Sequence, residues 1–196
     1  LDVTFNAQRE EVPAPEAQRW IMEPWKLEDT GTGRGWIKEL GDICASSKRP
    51  LVCLGGGAAW ADSLDPFLDM LRMKKIPYIS TLMGSHSLTK DELYLGMLGT
   101  YGRRSANWAV QNCDLLLTIG SRLDVRQTGA DASDFARNAR IVQVDIDPAQ
   151  LNNRVNVDLT VLCDADDFFQ EIISHPLSFR DTGEWTAIIS AKRANL

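Results

Sequence analysis

The sequence predicts an α/β fold: a doubly wound parallel sheet of five or six strands with helices on both faces. Three observations carry that reading. Short apolar runs alternate with amphipathic stretches about every 25 residues between positions 50 and 175, the rhythm of strand–helix–strand units. Runs such as Leu51-Val52-Cys53-Leu54 and Leu115-Leu116-Leu117 are apolar at every position, as a strand covered on both faces must be. Glycine follows the runs, at Gly55, Gly84 and Gly120. Helices between strands act as crossovers, and crossovers make the strands parallel. The pattern is Rossmann-like.

Each element follows from its own residues. Residues 1–35 are irregular, with Pro13, Pro15 and Pro24 ahead of Gly31, Gly33 and Gly35. Trp20, Ile21, Met22 and Trp25 nevertheless give this arm apolar surface to lay across either this domain or a further one. From Trp36, the residues Ile37, Leu40, Ile43 and Cys44 share one helical face. The strand Leu51–Leu54 comes next, and a helix through Leu64, Phe67, Leu68 and Leu71 follows it. A second strand is expected over Ile76–Thr81. The glycine-rich stretch Gly96, Gly99, Gly102 then leads to a short helix near Ser105–Asn112. Further strands are expected at Asp114–Ile119, Ile141–Ile146 and Leu159–Cys163, with a helix on Phe168, Phe169, Ile172 and Ile173. The tail from Thr182, with Trp185, Ile188 and Ile189, is one more helix or the start of an exit linker. The division expected is an arm (1–35), the α/β domain (36–177) and an exit segment (178–196).

Composition narrows the function classes. The chain has 196 residues, 44% hydrophobic and 24% charged, enough apolar material to exclude disorder and build a core without staples. With 21 basic and 27 acidic residues the net charge is −6, which supplies no field to gather nucleic acid. No apolar run approaches the roughly 20 residues of a membrane span, and no signal peptide opens the chain. A cytoplasmic location is expected. The four cysteines are far apart and lack a C-x-x-C pair that would suggest metal or redox chemistry; Cys53, Cys113 and Cys163, within or beside apolar runs, read as buried free thiols. The chain opens without methionine and ends within a helical pattern, which suggests a piece of a longer protein.

In a sheet of this kind, ligands bind beyond the carboxyl ends of the strands. Gly55-Gly56-Gly57 could bring backbone amides close to a pyrophosphate, or could simply be a tight turn. Trp60 stands where the third glycine of the dinucleotide fingerprint belongs. Ser80 and Thr81 replace the acidic residue that holds an NAD ribose, so an ordinary NAD dehydrogenase is disfavoured. Gly120-Ser121-Arg122-Leu123-Asp124-Val125-Arg126 places two arginines and an aspartate at a strand exit. The planar arginine fork suits phosphate, although a solvated loop with an internal ion pair remains open. Asp145 and Asp147 close the fourth strand and Asp164 the fifth, where carboxylates either accept ribose hydroxyls or cap helices. The two histidines, His86 and His175, have no spaced partner, and no nucleophile elbow, phosphate loop or zinc motif occurs. No catalytic residue and no metal ligand is assigned.

The ordered set Pro50–Gly57, Ser80-Thr81-Leu82-Met83-Gly84, Leu95–Gly99 with Ala106-Asn107, Asp114 through Gly129, and Asp145-Ile146-Asp147-Pro148 resembles the central domain of thiamine-diphosphate enzymes, the acetolactate synthases above all. Leu1-Asp2-Val3 is similar to the end of the pyrimidine-binding domain that precedes it. The resemblance implies a three-domain parent that joins 2-ketoacids and uses thiamine diphosphate and magnesium held by its pyrimidine- and diphosphate-binding domains; the apolar surface of Trp20 and Trp25 in the arm leads us to expect a homo-oligomer. It implies FAD or ADP in this domain. Gly55, Gly56 and Gly57 would approach the phosphates and ribose. Thr81, Leu82, Met83 and Gly84, with Thr100, Tyr101 and Gly102, would line the flavin side. Gly120, Ser121, Arg122, Asp124 and Arg126 would hold the ribityl-phosphate stretch, and Asp145, Ile146, Asp164 and Ala165 the adenosine end.

The sequence departs from that family at Thr100-Tyr101, at Arg103-Arg104 and at Val125, where a second aspartate is usual. Some relatives leave the pocket vacant, so a scaffold domain is the alternative. A stand-alone enzyme of sirtuin-like topology is a third reading, disfavoured by the lack of zinc cysteines. The Gly-Asp-Gly…Asn-Asn motif for thiamine diphosphate is not in the sequence.

Overall fold

The structure, a computed structural model, describes residues 35–88 and 91–194. The expectations for the arm, Trp20 and Trp25 included, lie outside the described residues. Six strands form one sheet: β1 (Pro50–Leu54), β2 (Tyr78–Ser80), β3 (Tyr94–Met97), β4 (Leu115–Ile119), β5 (Arg140–Asp145) and β6 (Leu159–Leu162). Their order is β3-β2-β1-β4-β5-β6, and every neighbouring pair is parallel. The chain therefore winds outward from β1 in one direction, returns, and winds outward from β4 in the other. That reversal opens a crevice between the carboxyl ends of β1 and β4.

Helices α1 (Gly35–Ser46), α2 (Leu64–Met73), α3 (Arg104–Asn112), α4 (Val125–Thr128), α5 (Ala165–Ser174) and α6 (Gly183–Ala194) complete the fold. The period-two alternation of the strands divides the core into two layers. Val52, Leu54, Leu115, Leu117 and Val144 pack with α1, α2 and α5. Leu51, Cys53, Leu116 and Ile141 pack with α3 and α6 on the other face. Stacked rings fill both layers: Phe67 on Phe169 at 4.3 Å between centroids, and Trp108 on Trp185 at 5.7 Å. Burying each large apolar side chain contributes about 1.5–3 kcal/mol. Ala106 and Ala109 are fully buried on α3 and let that helix sit close to the sheet.

The amino edge of the sheet is tied by polar groups. The Asp114 carboxylate accepts from Ser47 Oγ and from the amides of Lys48 and Arg49 (2.9 and 2.8 Å). On the second face, Trp185 in α6 donates its indole N–H to the Pro50 carbonyl at 3.0 Å. The tail from Thr182 is thus a helix, and its Trp185 and Ile189 are buried.

Two expectations are corrected. The strand foreseen over Ile76–Thr81 is only Tyr78–Ser80. The Ile76 amide turns back to the Leu71 carbonyl at 2.9 Å, and Pro77 has no N–H to offer a ladder. The glycine-rich stretch contains the sixth strand, β3. Gly96 sits inside it at φ 104°, and its register against β2 shifts between Tyr78 and Ser80. Asp91 anchors this edge strand: its carboxylate accepts the amides of Leu93 and Tyr94 (2.8 and 3.0 Å), the Tyr78 hydroxyl (2.6 Å) and Arg72 Nε (2.8 Å). Among the described residues, no helix is long and apolar enough to cross a membrane.

Candidate functional site

The crevice is built from strand exits, and each exit has a local reason for its shape. At the end of β1, Gly55 donates its amide to Ile119 O at 2.8 Å and Gly57 donates to Gly120 O at 3.1 Å. The β1 and β4 exits are therefore bonded to each other directly. A Cβ on Gly55 would stand 2.0 Å from Gly120 O, and one on Gly84 would stand 2.2 Å from Leu54 O. Both glycines are needed for close backbone approach, whatever else the loops bind.

The β4 exit carries the loop expected to hold phosphate. Gly120 (φ 60°) and Leu123 (φ 52°) both adopt left-handed conformations. Ser121 and Leu123 point inward, at 3% and 1% exposure, while Arg122 between them faces out into the crevice. Asp124 caps α4, accepting from the amides of Arg126 (2.8 Å) and Gln127 (3.3 Å). Arg126 lies outside the crevice, and its carbonyl accepts the amide and hydroxyl of Thr100 at 2.9 and 3.2 Å.

The acidic exits of β5 and β6 lie on the opposite wall. Asp145 is buried, and its carboxylate accepts the Asp147 amide at 3.0 Å. Burial raises its pKa above the ordinary aspartate value, partly offset by that amide. Asp164 caps α5 by accepting the Asp166 amide at 2.7 Å. At the β2 exit, Thr81 is buried, whereas Leu82 and Met83 are about two-thirds exposed. His86 packs its ring on the exposed Trp60 at 5.3 Å. At the β3 exit, Asn107 clamps Gly99 with two bonds (2.9 and 3.0 Å), and Gly102 donates to Gly99 O. Tyr101 points to solvent at 84% exposure.

Two adjoining cavities result. One of about 230 Å³ lies among the exits of β4, β5 and β6 and includes Asp145, Ile146, Asp147, Asp164 and Ala165. The other, of about 520 Å³, lies among β1, β2 and β4 and includes Gly56, Trp60, Thr81, Met83, Ser121 and Asp124. They share one wall of Gly57, Gly120 and Arg122. Among the described residues, Arg122 is the one cationic side chain lining either cavity. Among the sequence-expected residues, Gly55, Leu82, Gly84, Thr100, Tyr101, Gly102 and Arg126 line neither.

Sequence reasoning missed Trp60, Gln127, Gln150 and Cys163 as lining residues. Gln127 accepts from the Ser121 hydroxyl at 2.9 Å, and the helical spacing of Asp124 and Gln127 after a strand exit could have flagged it. Among the described residues, no group of three histidines, cysteines or carboxylates is placed to hold a metal ion.

Fold and crevice together define a Rossmann-like α/β domain with an elongated, two-chambered groove at its switch point. The chain belongs to the family described as thiamine pyrophosphate enzyme, central domain, whose family model matches residues 37–172. It is similar to a probable acetolactate synthase large subunit of Methanococcus aeolicus, 38% identical over 138 residues, which is 70% of this chain and 23% of that protein. The counterpart of Methanocaldococcus jannaschii is 36% identical over 152 residues, 76% of this chain and 26% of that one. The acetolactate synthase isozyme 2 large subunit of Escherichia coli K12 is 36% identical over 135 residues, 67% of this chain and 24% of that one. This chain spans about a quarter of the length of these relatives.

Proposed function

We propose that this chain serves as the central domain of an acetolactate-synthase-like enzyme, and that its crevice holds an adenine nucleotide, FAD or ADP. The observation that carries the reading is Arg122, the single cation among the described residues on the wall common to both cavities. A nucleotide laid across that wall puts its diphosphate beside the guanidinium. The chain's residues fit such a ligand in kind. Asp145 and Asp164 offer carboxylates to ribose hydroxyls in the smaller cavity. Thr81, Met83 and Trp60 offer a half-apolar lining in the larger one, whose volume is within the usual range for small-molecule sites. Asp124 holds the arginine loop in place by capping α4, and Leu123 anchors it in the core.

Thiamine diphosphate and magnesium belong, on this reading, to the pyrimidine- and diphosphate-binding domains of the parent. Bound there, thiamine diphosphate would supply the nucleophilic chemistry needed to join 2-ketoacids. The parent is a cytoplasmic homo-oligomer, and the exposed Leu82 and Tyr101, which line neither cavity, are surface this domain offers its neighbours.

A second reading, a scaffold with no ligand, is favoured by one observation. The amides of Gly55 and Gly57 already donate to backbone carbonyls and are not available to a phosphate. Thermal melting of the full chain with and without FAD and ADP separates the two. A rise in Tm with either nucleotide supports the binding reading, and no rise with both leaves the scaffold.

A further inference from the structure

The two walls of the crevice come from different strand exits, and one buried side chain touches both. Gln143 lies in the middle of β5 and is 2% exposed. It points to the same face as Ile141, toward the loops rather than toward α2 and α5. Its Nε2 donates to Ser121 O on the β4 exit at 3.3 Å and to Gln150 O on the β5 exit at 3.1 Å. Its Oε1 accepts the Asn152 amide at 3.0 Å. Asn152 holds a left-handed backbone (φ 51°) and accepts the Val157 amide at 3.0 Å, so the β5 exit loop is pinned where Gln143 grips it.

From this geometry we infer that Gln143 is a positioning residue, which fixes the spacing of the Arg122 loop against the Asp147–Gln150 loop and thereby the width of the smaller cavity. Ser121 is the immediate neighbour of Arg122, and Gln150 itself lines the cavity. The side chain acts without reaching the ligand. The amide is the group this task needs, because it alone combines two donors for two carbonyls with an acceptor for an N–H. A hydrophobic side chain of the same length would take this partner away from the buried Ser121 carbonyl, the half-buried Gln150 carbonyl and the Asn152 amide. Arg154 adds a second tie on the outer side, donating to Thr128 Oγ1 at 2.8 Å and Gly129 O at 2.6 Å. Gln143, however, reaches the carbonyls of two cavity-wall loops, at Ser121 and Gln150, with one side chain. The effect on nucleotide affinity rests on the function proposed above; the coupling of the two loops does not.

The test uses Gln143→Met in the full chain, with Ile141→Val as a control for lost packing on the same strand face. Hydrogen exchange of the ligand-free protein is expected to show residues 121–129 and 146–152 losing protection together, by about tenfold or more, in Gln143→Met but not in Ile141→Val. If only one loop responds, or neither, the positioning role is wrong. FAD and ADP titrations form the second arm. With a wild type that binds, Gln143→Met is expected to weaken affinity about tenfold or more while Ile141→Val leaves it unchanged. Unchanged affinity in Gln143→Met overturns the role, even where stability falls. A wild type that binds neither nucleotide defeats the nucleotide reading alone, and the exchange experiment still decides the inference. Should Gln143→Met fail to fold, Gln143→Asn keeps the amide but is one methylene too short to span, and is read in the same way.

Discussion

Gly55 and Gly120 meet backbone to backbone where β1 and β4 end, so closely that a single methyl on Gly55 would lie 2.0 Å from the Gly120 carbonyl oxygen. The contact is the hinge of the whole crevice, because it fixes the distance between the two halves of the sheet on their ligand side. It cannot relax cheaply. Both atoms belong to main chain that is also bonded to the neighbouring strand.

Gly55→Ala is therefore expected to destabilise the protein by about 3 kcal/mol or more, in the class of backbone clashes within a packed core. Gly56→Ala meets only the Met83 side chain, at 3.0 Å, on a loop exposed enough to shift, and should cost about 1 kcal/mol or less. Urea unfolding of both variants checks the contrast. Equal losses would show that the hinge is not where the strain falls.

Arg122→Ala should weaken FAD or ADP binding by roughly 10- to 100-fold, since one charge-assisted bond to phosphate contributes about 1.5–3 kcal/mol. Its effect on the melting temperature without nucleotide should be small, because an exposed loop cation contributes little to folding. Calorimetric titration and melting together test this. A large loss of Tm with unchanged affinity would assign Arg122 to bracing instead of binding.

Two aspartates should respond oppositely to pH. Burial alone would raise Asp114, but the Ser47 hydroxyl and the amides of Lys48 and Arg49 outweigh it and hold the carboxyl below its ordinary value. Its contribution is present above the unfolded pKa of about 4 and is lost as pH falls through the lower folded value. Asp145 is raised, chiefly by burial. Its contribution is complete below the unfolded pKa and is lost as pH rises through the folded one. Asp145→Asn keeps the acceptor for the Asp147 amide and removes the buried charge. It should raise Tm at pH 7 by roughly 2–5 °C and give no gain at pH 3. Asp114→Asn should lower Tm at pH 7 and flatten the acid side of the curve. Melting curves of the two variants at both pH values check the signs.

The thiols should be inert in the native state. Burial pushes Cys44, Cys53 and Cys113 up to about 12. Cys163 reaches about 11 through burial and the nearby carboxylates of Asp167, Asp164 and Glu171. Since the thiolate is the reacting species, a disulfide reagent at pH 8 should modify native protein about 100-fold more slowly than protein unfolded in guanidinium. Rapid labelling of any one thiol would mean that its surroundings open readily.

The sequence made the inner sheet legible because β1 and β4 are buried on both faces and almost wholly apolar, which leaves a run no amphipathic helix would have. Strand β3 was hidden for the opposite reason. It lies at the edge, carries Gly96, and is held by Asp91, a polar residue outside the strand itself. The site was legible where chemistry and position coincide, as with Arg122 after an apolar run and Asp145 at a strand end. Gln143 could not be read in that way. A glutamine within Ile141-Val142-Gln143-Val144 looks like an interruption, and its value comes from Ser121, Gln150 and Asn152, which only the folded sheet brings beneath one cavity. Trp60 was noticed as a missing glycine, and its place on the rim depends on the β2 exit loop folding beside it.

The bond from Trp185 to Pro50 has a consequence for synthesis. Its two ends are 135 residues apart, and chains leave the ribosome at about 5–20 residues per second. The all-apolar strand β1 thus emerges on the order of ten seconds before the helix that closes one of its faces. During that interval Leu51 and Cys53 have lost the tunnel's shelter and have not yet gained their final cover. Slowing elongation upstream of Trp185 should lengthen that interval and deepen any dependence on chaperones that bind nascent chains.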